Sequence, residues 1–423
     1  MDKNVIEVEK TQNEIEIQAA IEKTLIHAAE EKKEDTKGSI ATEEDQEPES
    51  LFPLEYLGSS SLVEKDNFSR KGGMYSEWKD GRTPYKITRK LKLASDEIAY
   101  ERREKVKAAM IHAWDGYKNH AFGHDEVKPV SGGFTSHWGG LGVTLVDALD
   151  TLWLMGLKED FWVARDWVRD NLNHDIDKDV SVFETTIRSL GGLLSAYSWS
   201  RDVSFLNKAK DIGERLFKAF STNPNDGDRG GIPYGQVNLK TGLGSGQGWL
   251  GSKVILSEIG SLQIEFRELA AVTGKKDYAQ KSEYVFEALK GIQPSDGLFS
   301  SMYSIDNGHI RGASSDTSFG AFGDSFFEYE LKIWLQGGRT EGMYRDMYDK
   351  SIDGMHSRLL TRNSDGLWYI GNKSQRNHFD HLTCFMGGLL ALGAYTDPNG
   401  LDSVRAERDL ETGKKLAYTC YQM

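Results

Sequence analysis

In the stretch VFETTIRSLGGLLSAY, residues 182–197, a glutamate and an arginine stand one helical turn apart among residues suited to a buried helix. Phe183, Ile187, Leu190, Leu194 and Tyr197 recur at spacings of three and four, the apolar stripe of an amphipathic helix. Glu184, Arg188, Gly191 and Ser195 share a neighbouring face that begins with charge and continues with small residues. Taken alone, Glu184 and Arg188 are an i, i+4 pair on a solvated face, worth a few tenths of a kcal/mol. The pattern recurs in the other apolar segments, as Asp147 and Asp150, Glu258 and Glu265, Asp324 and Glu328, and Asp380 and His381. Unpaired buried charge is expensive, so this repetition points to a carboxylate-lined funnel. Crowded carboxylates disfavour one another's ionised forms, which leaves one protonated near neutrality and able to donate a proton. An acid facing a base across a cavity is the equipment of glycoside hydrolysis.

Metal binding is the competing use of such a cluster. The chain has no H-E-x-x-H and no Cys/His spacing for zinc. DIDKDV at 175–180 imitates the opening of a calcium loop, but it lacks the glycine that must follow and offers Thr186 where the bidentate glutamate belongs. GLGSGQG at 242–248 does not satisfy G-x-G-x-x-G and follows no predicted strand, so it reads as a flexible loop.

The elements that must position these residues are helices of two kinds. Amphipathic segments with a charged face begin at Tyr100, Lys158, Val203, Lys276, Glu341 and Val404; segments apolar nearly all round begin at Gly142, Phe183, Glu258, Gly320 and His378. The two kinds alternate. A helix apolar on every side is buried, which predicts an all-α fold: an inner ring of apolar helices wrapped by an outer ring, an α/α barrel. Eleven helices are an odd total for a closed double ring, so the expected barrel is incomplete. Ahead of it, residues 1–50 carry 15 Asp/Glu against 6 Lys/Arg with no aromatic residue, an acidic and largely disordered or solvated helical tail. Residues 51–95 read as a polar connector and 96–423 as the partial barrel domain.

A net charge of −13 argues against a nucleic-acid partner. No run of 18 apolar residues occurs, and MDKNVIEVEK lacks the basic-then-apolar pattern of a signal peptide. Against that stand two sequons, at Asn67 and Asn372, and two cysteines, Cys384 and Cys420, whose spacing equally fits two buried thiols.

The motifs AFGHDEVKPVS, GVTLVDALDTLWLMGL, FETTIRSLGGLLSAY, IPYGQVNLKTG, SLQIEFRELAAVTG, GDSFFEYELKIWLQGG and HLTCFMGGLLALGAY resemble the class I α-1,2-mannosidases of glycoside hydrolase family 47, from about Glu101 to Met423. The resemblance implies an (αα)7 barrel, of which this chain would supply about eleven of fourteen helices. It also implies inverting removal of terminal α-1,2-linked mannose from oligomannose N-glycans, a bound calcium, and a monomer in the endoplasmic reticulum or Golgi lumen. By the same resemblance Glu184 is the general acid, acting through a water, with Arg188 holding that site; Asp324 is the second catalytic carboxylate. Glu328, Glu265, His381 and Asp150 are expected at the sugar, and Cys384 and Cys420 match the family's disulfide. Phe322 stands where members of the endoplasmic reticulum tend to have Arg and Golgi members Leu, and is expected to influence which branch is trimmed. Three features depart from the family. The N-terminal membrane anchor is not seen. The LRPE-type motif with the catalytic base, and the threonine that ligates calcium, are expected beyond Met423. On that expectation the 423 residues alone are inactive, and the alternative is a mannose-glycan-binding pseudoenzyme of glycoprotein quality control.

Overall fold

The structure, a computed structural model, describes residues 89–221, 228–251 and 253–423. The acidic tail, most of the connector and the Asn67 sequon lie outside the described residues. The described residues fall into two compact units, Arg89–Trp114 and Asp115–Met423. A helix begins at Arg89 and ends at Ala121. It starts within the span read as connector, because RKLKLAS is made of good helix formers with no glycine or proline to stop it.

Within the second unit the alternation of helix types takes physical form. The helix Lys158–Asp170 buries only Phe161, Ala164 and Val168, a single stripe. Asp324–Gln336 buries Phe326, Phe327, Tyr329, Glu330, Leu331, Ile333 and Trp334, which leave almost no solvent face. Apolar segments form the inner layer and amphipathic ones the outer, as burial demands. Leu149–Leu154, Gly191–Ser200, Gln263–Thr273, Asp324–Gln336 and Met386–Tyr395 each pack on the outer helix that follows in the chain. Gly191–Ser200 also touches Leu149–Leu154 and Gln263–Thr273, and the latter touches Asp324–Gln336, so inner helices line up side by side. Small residues permit that approach: a Cβ on Gly192 would lie 2.5 Å from the carbonyl oxygen of Val146.

The inner helices are interrupted. Val182–Thr185 passes through a π turn, Thr186–Leu190, before continuing as Gly191–Ser200. Such turns are frequent at functional sites. Leu256–Ile259 and Gln263–Thr273 are separate helices, parted at Gly260 and Ser261. Small antiparallel sheets, not foreseen from the sequence, feed two of these helices: Asp179–Ser181 runs directly into Val182, and Lys253–Ile255 into Leu256. They fix where each inner helix begins, which is where its carboxylates lie. Cys384 and Cys420 form a disulfide with Cα atoms 5.9 Å apart, tying the start of the last inner helix to the end of the last outer one.

Candidate active site

Glu184 is placed by a cap. Ser181 is the residue before the helix, and its hydroxyl accepts the backbone N–H of Glu184 at 3.2 Å. That puts the Glu184 carboxylate in the first turn, where the helix dipole favours negative charge. Arg188 donates from Nε to Glu184 at 2.8 Å and from Nη1 to Asp147 at 3.2 Å, bridging two inner segments. Its guanidinium lies 5.7 Å from the ring centroid of Trp138. Trp138 in turn donates its indole N–H to Glu126 at 3.0 Å. Asp125 pins the adjoining loop, its buried carboxylate accepting the N–H groups of Gly140 and Val143. Asp150 accepts the hydroxyl of Ser195 at 2.8 Å, and its charge helps burial raise the Asp147 carboxyl.

Glu258 lies close enough to sense the charge of Glu184. Burial is the larger influence and pushes its carboxyl up to about 7, against a hydrogen bond from Gln247. The neighbouring Ser257 joins this arc to the next, since its N–H donates to the Phe322 carbonyl at 3.0 Å and its side chain bonds Asp324. Burial raises Asp324 to about 6, helped by the charges of Asp380 and Glu328. Burial also raises Glu265 to about 7, although the Tyr329 hydroxyl donates to both its oxygens at 2.8 and 3.0 Å. Glu328 is paired with Lys332.

The small residues below Glu184 now have a reason. An added Cβ at Gly191 would stand 3.6 Å from Cγ of Glu265, an ordinary contact, whereas one at Gly192 would stand 2.5 Å from the Val146 carbonyl oxygen and force the inner segments apart. Asp380 closes the group at a 3₁₀ turn, accepting the N–H groups of Ala321 at 2.9 Å and Leu382 at 3.0 Å. Burial alone would raise its carboxyl; those two bonds hold it below the usual range. Gly320 makes room, for a Cβ there would sit 2.5 Å from an Asp380 oxygen.

The structure therefore gathers Glu184, Arg188, Asp324, Glu328, Glu265 and Asp150 with Asp147, Glu258 and Asp380 in one connected region. His381 stands at its edge with its side chain 89 % exposed, 3.4 Å from Asp380, so it is not a satisfied core histidine. Phe322 is exposed at the same edge with a φ of 74°. The mutual repulsion expected of crowded carboxylates is present but secondary; burial is the principal cause at Glu258, Glu265 and Asp324. Gln247 was missed within GLGSGQG, where glycines outweighed the one side chain able to reach a carboxylate. Ser257 and Tyr329 were missed as well, since serine and tyrosine on an apolar helix look like packing.

This arrangement offers neutral acids and carboxylates side by side, which suits proton transfer to a glycosidic oxygen. Among the described residues no group of three or more His, Cys, Asp or Glu could hold a metal ion. Among the described residues no helix is long and apolar enough to cross a membrane.

Comparison with known proteins gives a concordant result. The chain is 44 % identical over 332 residues to a mannosyl-oligosaccharide 1,2-alpha-mannosidase of Arabidopsis thaliana, covering 77 % of this chain and 57 % of the relative. It is 41 % identical over 327 residues to the human endoplasmic reticulum mannosyl-oligosaccharide 1,2-alpha-mannosidase, covering 76 % of this chain and 44 % of that one. The chain thus spans about half the length of the curated relatives it matches. Its fold superposes on the alpha-1,2-mannosidase from Trichoderma reesei with a TM-score of 0.66 and 29 % identity, covering 75 % of this chain and 67 % of that structure. The all-α, inner-and-outer arrangement is accordingly of the (αα)7-barrel type. The profile of glycosyl hydrolase family 47 matches residues 109–423, and the chain belongs to that family.

Proposed function

We propose that the protein hydrolyses terminal α-1,2-linked mannose from oligomannose N-glycans, with inversion at the anomeric carbon. The observation that carries this reading is the placing of Glu184. It is capped into a first helical turn, oriented by Arg188, and set beside a Glu258 carboxyl held at about 7. In this reaction Glu184 delivers a proton to the departing oxygen through a water, and Arg188 keeps its carboxylate in one orientation. Asp324 is the second carboxylate, with Glu328 and Glu265 on the sugar side and His381 and Asp150 as outer contacts. Residues 1–423 contain no LRPE-type motif, the expected source of the base that activates water on the opposite sugar face. We place the protein in the lumen of the endoplasmic reticulum or Golgi. The Cys384–Cys420 disulfide supports this, since such bonds persist in oxidising compartments. So does the similarity to the human endoplasmic reticulum mannosidase.

The test is proton NMR of the first mannose released by the intact protein from an α-1,2-linked mannobiose. Inversion yields the β-anomer first. Initial α-mannose would overturn the proposed stereochemistry, and tight oligomannose binding without any release would favour the pseudoenzyme.

A further inference from the structure

The sequon Asn372-Lys373-Ser374 has no part in the proposed reaction, and the fold shows what kind of place it occupies. The strand Trp368–Ile370 ends just before it, and Gly371 pairs with Phe379 in an antiparallel bridge, so residues 372–378 form the loop of a hairpin. The base of that loop is tight: a Cβ on Gly371 would lie 2.2 Å from the Arg376 carbonyl oxygen. Asn372 is partly exposed, and Lys373 through His378 are exposed without a break. Two backbone groups fix the loop against its neighbour. Lys373 N–H donates to the Thr317 carbonyl at 3.0 Å, and Ser374 N–H donates to Oδ1 of Asp316 at 2.8 Å. The side chains of Asn372 and Ser374 take no part: among the described residues neither makes a hydrogen bond. Other asparagines differ. Asn238 donates its amide to Asp177 and Asp179, and Asn363 accepts the N–H groups of Asp365 and Leu367. The Asn372 amide can therefore be substituted without removing a bond that holds the fold. Beside the loop lies an open cleft of about 390 Å³, lined in part by Arg311, Ser314, Asp316 and Lys373, which offers room and polar surface.

We propose that Asn372 is a modification site and carries an N-linked oligosaccharide. An Asn-x-Ser acceptor whose middle residue is not proline belongs on a surface loop, where a bulky polar substituent stays in water. The donor is an oligosaccharide joined to a polyprenyl diphosphate lipid, used by a transferase of the host membrane. The Asn372 amide nitrogen bonds to the anomeric carbon of the first sugar, and the bond from that carbon to the diphosphate oxygen breaks. The amide gives up one proton to solvent, and the lipid diphosphate leaves. Nothing is oxidised or reduced. The inference rests on the lumenal placing proposed above, since the acceptor must meet that donor.

The experiment maps peptides of the intact protein from a eukaryotic host beside those of Ser374→Ala and Ser374→Thr. Ser374→Ala removes the acceptor hydroxyl but keeps the backbone N–H that bonds Asp316, so the loop stays anchored. Ser374→Thr keeps hydroxyl and N–H alike. The peptide that contains Asn372 should carry an oligosaccharide in the parent and in Ser374→Thr, and none in Ser374→Ala. Enzymatic release of the sugar should leave aspartate at position 372. A parent whose Cys384–Cys420 disulfide is formed but whose Asn372 is bare overturns the site and leaves the lumenal reading standing. A glycan confined to Asn67 counts as that same outcome. Bare Asn372 together with two free thiols overturns the lumenal reading as well.

Discussion

Glu330 faces away from the carboxylate cluster and tests the electrostatics of the fold separately from its chemistry. It is fully buried on the inner helix Asp324–Gln336. One oxygen accepts the Ser351 hydroxyl of the outer helix at 3.1 Å, and among the described residues the other has no hydrogen-bond partner. Burial raises its carboxyl well above the ordinary value of 4.5. The folded protein therefore holds a neutral acid, whereas the unfolded chain ionises once the pH passes about 4.5. The stability contributed by this group is fully present below that pH. It is lost at about 1.4 kcal/mol per pH unit as pH rises toward the folded pKa. Glu330→Gln cannot ionise and removes that slope. An amide that leaves the second position unsatisfied costs about 1–3 kcal/mol, and that cost does not vary with pH. Urea unfolding of parent and variant at pH 5, 6 and 7 separates the two effects. The difference in stability should move in favour of the variant by about 1.4 kcal/mol for each unit of pH. A difference constant across that range would refute the neutral-acid assignment.

Cys384→Ser opens a loop of 36 residues, which in the chain-entropy picture costs about 4 kcal/mol; a melting temperature unchanged from the oxidised parent would contradict this. Gly192→Val should destabilise by more than about 1–3 kcal/mol, because even its Cβ would stand 2.5 Å from the Val146 carbonyl oxygen; calorimetry reads the loss, and a parent-like transition would show that the inner helices can part freely. In the proposed reaction kcat/KM should fall as pH rises through about 7, where Glu258 loses the proton with which it can donate to the bound sugar. Glu258→Gln should remove that alkaline limb, and a variant with the limb intact would assign it to another group.

The helices were legible because burial imposes a 3.6-residue period, and the contrast between one-striped and wholly apolar segments survives in the sequence. All eleven apolar and amphipathic segments contain helix, though the one read as continuous from Gly142 divides at Ala148 and the one from Glu258 at Gly260 and Ser261. There Ser261 turns its hydroxyl to Ser325 at 2.7 Å, a tertiary bond that no local pattern announces. The short strands were illegible for a similar reason. With two to five residues each, they are stabilised by pairing across the chain, as Asp179–Ser181 is with Gln236–Asn238. At the candidate site the charged residues declared themselves by being out of place on apolar helices. Gln247 did not, because its role depends on where a loop folds back, nor did Ser257, which on an apolar helix looks like packing.

In the proposed reaction Glu184 supplies the proton. Glu184→Gln keeps the side-chain shape, the Ser181 cap to its backbone and an acceptor for Arg188, but cannot donate a carboxylic proton. Single-turnover release of mannose by the intact protein, measured beside oligomannose affinity, should fall about 10²–10⁴-fold while affinity stays near the parent's. Turnover within a few-fold of the parent would contradict the assignment and leave Glu184 a structural partner of Arg188.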